Sequence, residues 1–107
     1  HVGINCADEA EAERTAQMFS TVFGWEYKPG NSSVFSGTAV ECMKTPYLGE
    51  RGHIAVGTNN VDRAMYHLGL HGITFDESTR KTDAKGKTKA IYLKDSFCGF
   101  AVHLVQK

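Results

Sequence analysis

Apolar residues along this chain follow two rhythms, and the change from one to the other occurs twice. The opening HVGINC alternates as a strand does, with Val2, Ile4 and Cys6 on one side and His1, Gly3 and Asn5 on the other. In DEAEAERTAQMFSTVFG the spacing becomes helical, and Ala12, Ala16, Phe19 and Phe23 form one stripe. Asp8 is placed to cap that helix, with Glu11 three residues on as its capping-box partner, and Gly24 ends it. WEYK, SSVFSG and AVECMK, separated by turn residues such as PGN, read as three short strands.

After the connector TPYLGERG the order restarts. HIAVGT predicts a strand with His53, Ala55 and Gly57 facing one way and Ile54 and Val56 the other. A helix follows from about Asn60, its buried side made by Val61, Ala64, Met65 and Leu68; Gly69 weakens it and Gly72 closes it. GITFDE, KAIYLKD and GFAVHLVQ supply three more strands, with RKTDAKGKTK as a long polar hairpin loop. Each half is βαβββ. The pattern predicts an α+β protein of one domain, residues 1–107, built from two tandem modules at about 1–45 and 52–107.

The repeat is visible in residues too. His1 and His53 lie 52 positions apart, HVGI answers HIAV, and Ala39-Val40-Glu41 answers Ala101-Val102-His103. If each strand gives its apolar face to a helix, Glu41 faces away from Val40 and Cys42, and His103 away from Phe100, Val102 and Leu104. The opposite faces then line a common surface carrying His1, His53, His103 and Glu41. Three imidazoles and a carboxylate are a metal-ligand set. His67 and His71 are spaced i, i+4 on the second helix but point away from its apolar stripe, and no glutamate adjoins His67 as in a zinc-protease helix. They read as solvated surface.

Composition narrows the classes. Twelve basic residues balance twelve acidic ones, so no net field draws the chain to nucleic acid or an anionic membrane. No apolar run nears the roughly 18 residues of a spanning helix and no signal peptide opens the chain, so a cytoplasmic location is expected. The start at His1 without methionine suggests a domain cut from a longer polypeptide. Cys6, Cys42 and Cys98 are odd in number and form no CxxC pair, which argues against a disulfide framework; Cys6 and Cys42 fall on helix-facing sides of strands. Arg80, Lys81, Lys85, Lys87 and Lys89 against Asp83 read as a soluble hairpin tip.

The βαβββ repeat, the histidine opening each half, GHIA after the connector, Glu41 on a fourth strand and the closing GFAVHLV together resemble the vicinal oxygen chelate superfamily. That group contains glyoxalase I, extradiol dioxygenases, methylmalonyl-CoA epimerase and bleomycin-resistance proteins. The resemblance covers the whole chain and implies a half-open barrel around a metal and ligand cleft. It sets His1, Glu41, His53 and His103 on the four ligand positions. The last of these usually carries glutamate, so His103 departs from the pattern. More narrowly, the chain is similar to a module at the C-terminus of some bacterial 2-keto-3-deoxy-6-phosphogluconate aldolases, which implies an aldolase domain upstream.

A divalent ion, zinc, nickel, iron or manganese, held by three imidazoles and one carboxylate suits a small anionic substrate with two adjacent oxygens, such as a 2-oxo acid. The expected activity is that of a glyoxalase-type lyase or isomerase working through a chelated enolate, with Glu41 as proton shuttle. An iron dioxygenase is a weaker variant, and a non-catalytic binding or regulatory module fused to a sugar-acid aldolase is the alternative. Phe35, Tyr47 and Tyr92 are candidates for the pocket wall. A homodimer is expected, with two equivalent sites. Because the connector is short, His1 and Glu41 of one chain are expected to meet His53 and His103 of the other, with pairing of the halves within one chain as the alternative.

Overall fold

Asp8 starts the first helix as its position predicts. In the computed structural model, which describes all of residues 1–107, its side chain accepts a hydrogen bond from the Glu11 N–H, and Glu11 reaches back to accept from the Ala7 N–H at 2.9 Å. This double tie, whose Asp8 half stabilises by about 1 kcal/mol, opens α1 (Glu9–Phe23). Gly24, in the left-handed conformation at φ 72°, closes it by donating its N–H to the Ser20 carbonyl. The strand before it is β1 (Val2–Asn5), and β2 (Tyr27–Pro29), β3 (Ser33–Ser36) and β4 (Val40–Met43) follow. Then come β5 (Gly52–Thr58), α2 (Val61–Gly69), β6 (Phe75–Thr82), β7 (Thr88–Leu93) and β8 (Phe100–Gln106). The chain is α+β, with two helices and eight strands. Neither helix is long and apolar enough to cross a membrane.

The chain divides into two compact units, His1–His53 and Ile54–Lys107, and the division falls inside β5. In the first unit β2, β3 and β4 form an antiparallel meander, and β1 lies parallel to β4 with Gly3 opposite Glu41. Ala12 and Ala16 of α1 pack on Val34, Val40 and Cys42, with Cys6, Ile4, Phe19 and Tyr27 around them. Small residues on the helix let it approach the sheet closely. Phe23, at the end of the predicted stripe, is exposed and stacks on Trp25 with ring centroids 5.0 Å apart. Trp25 itself precedes β2 rather than opening it.

In the second unit Asn60 caps α2 by accepting from the Arg63 N–H. Val61 lies against Ile91 of β7 and Leu104 of β8, flanked by Ala64, Met65, Leu68 and Phe75. Removing the side chain of Ile91 or Leu104 beyond Cβ costs about 2–5 kcal/mol. The helix therefore sits over β7 and β8, and this corrects one expectation. Ile54 and Val56 of β5, assigned to a helix-facing side, are 36% and 46% exposed because no helix covers them, whereas His53 and Ala55 on the other face are buried.

The hairpin before β7 is shorter than expected. β6 runs on to Thr82, and Asp83 makes the turn by accepting from the Lys85 and Lys87 N–H groups and donating its own N–H to the Lys87 carbonyl. A bulge makes the extension possible. Asp76 pairs with Tyr92 but Lys81 with Ala90, and the surplus residues between are held by Arg80, which bonds both oxygens of Glu77 and the Thr88 hydroxyl. α2 ends at Gly69, so His71 lies beyond it and does not share a helix face with His67.

Candidate metal centre

One row across the first unit places the site. Phe35 on β3 pairs with Glu41 on β4, and Glu41 pairs with Gly3 on β1. Since side chains of paired residues share a face, Phe35 and Glu41 stand side by side above a position with no side chain at all. The His53 ring fills that space. A Cβ built on Gly3 would stand 1.9 to 2.4 Å from three atoms of the ring. Gly52 makes the same approach possible from the backbone side: its φ is +134°, a glycine conformation, and a Cβ there would lie 2.0 Å from the Gly3 carbonyl oxygen. The connector is pinned to the end of β1, where the Asn5 side chain accepts from the Tyr47 N–H and donates to the Gly49 carbonyl.

Three donor atoms converge above Gly3. His53 Nε2 is 3.0 Å from Glu41 Oε1, His1 Nε2 is 3.2 Å from the same oxygen, and the two nitrogens are 3.2 Å apart. A proton can lie on only one edge of such a triangle at a time from each nitrogen, so hydrogen bonding cannot serve all three edges with neutral rings. A cation at the centre serves all three. Donors bound at about 2.0–2.2 Å to one divalent ion stand about 2.9–3.5 Å apart, the range found here. The residues thus fit a divalent metal. Glu41 holds its second oxygen against the Ser33 hydroxyl, which donates to Oε2 at 2.6 Å. Phe35 meets the His1 ring edge-on, 5.3 Å between centroids.

Access is one-sided. His53 is 2% exposed, whereas the side chains of His1 and Glu41 keep 18% and 16%. The ring that needs Gly3 is sealed, and the other two donors keep part of their surface in solvent.

The four expected ligands are therefore placed as follows. His1, Glu41 and His53 come together within one chain. The reason is the approach of Gly52 to Gly3, which sets the start of β5 beside β1 of its own chain. His103 lies in the second unit, buried on β8. Its Nδ1 is 3.2 Å from the Leu104 carbonyl oxygen, which can only accept, so Nδ1 is the donor in that contact. Tyr92 packs on that ring at 4.6 Å. Of the candidate wall residues, Phe35 and Tyr92 thus touch imidazoles, while Tyr47 is exposed on the connector. Ser33 and Gly3 were missed by sequence reasoning. The signal for Gly3 was the small-residue face of the first strand, and Ser33 carried none.

No family model and no curated protein matches the chain. Solved structures do. Methylmalonyl-CoA epimerase in complex with methylmalonyl-CoA and NH4+ is similar at TM-score 0.66 and 18% identity, over 100% of this chain and 92% of that one. A Streptomyces coelicolor methylmalonyl-CoA epimerase variant in complex with 2-nitronate-propionyl-CoA gives 0.66 and 18%, over 100% and 94%. A further methylmalonyl-CoA epimerase gives 0.64 and 19%, over 99% and 92%. At such identities the likeness is one of fold, shared with these methylmalonyl-CoA epimerases over essentially the whole chain.

Proposed function

We propose that the chain is a metal-dependent isomerase or lyase of glyoxalase type, acting on a small anionic substrate with a 2-oxo or vicinal-oxygen group. In this reading the two βαβββ stretches are tandem modules whose sheets make a half-open barrel around the cleft, and the protein is a homodimer. The observation that carries it is the triangle of His1 Nε2, Glu41 Oε1 and His53 Nε2, with sides of 3.0 to 3.2 Å. His103 is the fourth ligand in this proposal. The epimerase fold of the structural neighbours favours the isomerase branch.

A zinc, nickel, iron or manganese ion held by these residues supplies Lewis-acid stabilisation of negative charge on a substrate oxygen. The chain supplies the rest. His53, sealed under the row, fixes one position. His1 and Glu41 keep part of their surface in solvent, where a substrate with two oxygens could approach, and Phe35 packs edge-on against the His1 ring. In this proposal Glu41 is also the proton shuttle, its carboxylate taking a proton from a carbon beside a carbonyl and returning it.

Metal analysis tests the reading. Protein prepared at neutral pH with added nickel, zinc, iron or manganese is expected to hold one ion per chain, His53→Ala and Glu41→Ala to lose it, and His67→Ala to keep it. Occupancy is expected to fall below about pH 6, since imidazoles must give up protons to bind. Metal-free wild-type protein sinks the proposal. Turnover is then sought with methylglyoxal adducts, 2-keto-3-deoxy acids and methylmalonyl-CoA. Metal without turnover favours a binding module attached to an aldolase domain.

A further inference from the structure

The Ser33 hydroxyl has a place in the site that its sequence position did not suggest. Ser33 and Phe35 are two apart on β3 and so project to one face, the face of Glu41, which is paired with Phe35. Ser33 is thus the diagonal neighbour of Glu41. It is buried, and its hydroxyl donates to Glu41 Oε2 at 2.6 Å, the ordinary length for a hydroxyl bonded to a carboxylate. The other oxygen, Oε1, is the one that meets both imidazoles. The carboxylate is therefore divided between two tasks by a single bond.

We propose that Ser33 is a positioning residue that restricts Glu41 to presenting one oxygen to the metal. This rests on the metal-binding reading above. A carboxylate free to rotate offers an ion both oxygens and so occupies two coordination positions. With Oε2 engaged, Glu41 takes one, and a position is left for a substrate oxygen. A partner of this kind behind a ligand is worth about 10–100-fold in metal affinity.

Cobalt(II) reports both quantities, since its visible absorption weakens as coordination number rises. Wild type, Ser33→Ala and the size-matched pair Ser33→Thr and Ser33→Val are titrated with cobalt, with circular dichroism confirming the fold. The expected result is weaker binding by at least tenfold in Ser33→Ala and Ser33→Val together with a fainter, shifted visible spectrum, and recovery of both in Ser33→Thr. Should Ser33→Ala fail to fold, the contrast between Thr and Val decides. Hydroxyl-free variants with wild-type affinity and spectrum overturn the role of Ser33 alone, since the metal site is then intact. A wild-type protein that takes up no cobalt overturns the metal reading and this inference with it. Weakened binding with an unchanged spectrum, not restored by Ser33→Thr, also overturns it, because that pattern is general loosening of β3.

Discussion

The ring of His53 occupies the space that a side chain on Gly3 would fill. The nearest ring atom stands 1.9 Å from the position of the missing Cβ, well inside any contact that real atoms make. Gly3→Ala therefore forces the imidazole out of the row that Phe35 and Glu41 define. Helical content is expected to survive, since α1 packs on β3 and β4 rather than on this face. Metal affinity is expected to drop at least tenfold. Isothermal titration with zinc, beside a far-ultraviolet spectrum of the same sample, checks it; an unchanged affinity means that His53 does not bind in the position seen.

Asp62 offers a stability probe remote from the site. Its carboxyl is held below the ordinary range, first by the Thr88 hydroxyl, then by the Thr88 N–H and the Arg80 guanidinium. A carboxyl whose folded value is depressed contributes stability that is fully present above its unfolded value, about pH 4, and is lost as pH falls through the lower folded value. Asp62→Asn should accordingly flatten the decline of the melting temperature in the acid range below about pH 4. The side chain is 52% exposed, so solvent and salt screen its charge. Asp62→Ala strands two buried Thr88 donors and is expected to cost about 1–3 kcal/mol at neutral pH, read from urea denaturation.

The thiols should separate cleanly. Burial, the largest cause, pushes Cys42 up to about 12, and burial also raises Cys6. Thiolate is the reactive form, so neither should react with a disulfide reagent at pH 8 while the protein is folded. Cys98 is exposed. One thiol per chain is expected to titrate in native protein and three in guanidinium. Two or three fast native thiols would mean that the core between α1 and its sheet opens readily.

How much of this was legible beforehand follows from which forces are local. Capping and turn chemistry act over three or four residues, and Asp8, Gly24 and Asn60 mark helix ends where the sequence places them, whereas α2 stops at Gly69, short of the expected Gly72. Strand parity is equally local, which is why Glu41 could be set opposite Val40 and Cys42 from HPHP alternation alone. The choice of strands that a helix covers is not local. Ile54 and Val56 have the pattern of a covered face, yet α2 lies over Ile91 and Leu104 instead. The extension of β6 depends on Arg80 reaching Thr88 across a bulge, a tertiary bond that propensity cannot register. At the site, the residue types and spacing announced His1, Glu41 and His53. The fit that brings them together depends on what Gly3 and Gly52 lack, and an absent side chain reads in sequence as a plain strand glycine.

The assembly of the ligand set gives the last prediction. A short connector favours exchange of halves between subunits, so that His1 and Glu41 of one chain face His53 of another. The packing within one chain argues the reverse: His53 Nε2 lies 3.0 Å from Glu41 Oε1 of the same chain, and Gly52 meets the Gly3 carbonyl so closely that only glycine serves there. Co-expression of a His1→Ala, Glu41→Ala chain with a His53→Ala, His103→Ala chain, each carrying a different affinity tag, allows mixed dimers to be purified through both tags. In-chain assembly leaves every site in that dimer short of two ligands, and its metal content is expected to match that of either parent variant. Exchange of halves restores one complete site, so metal recovered at half the wild-type level in verified mixed dimers would show that the His1–Glu41–His53 triangle is completed across subunits.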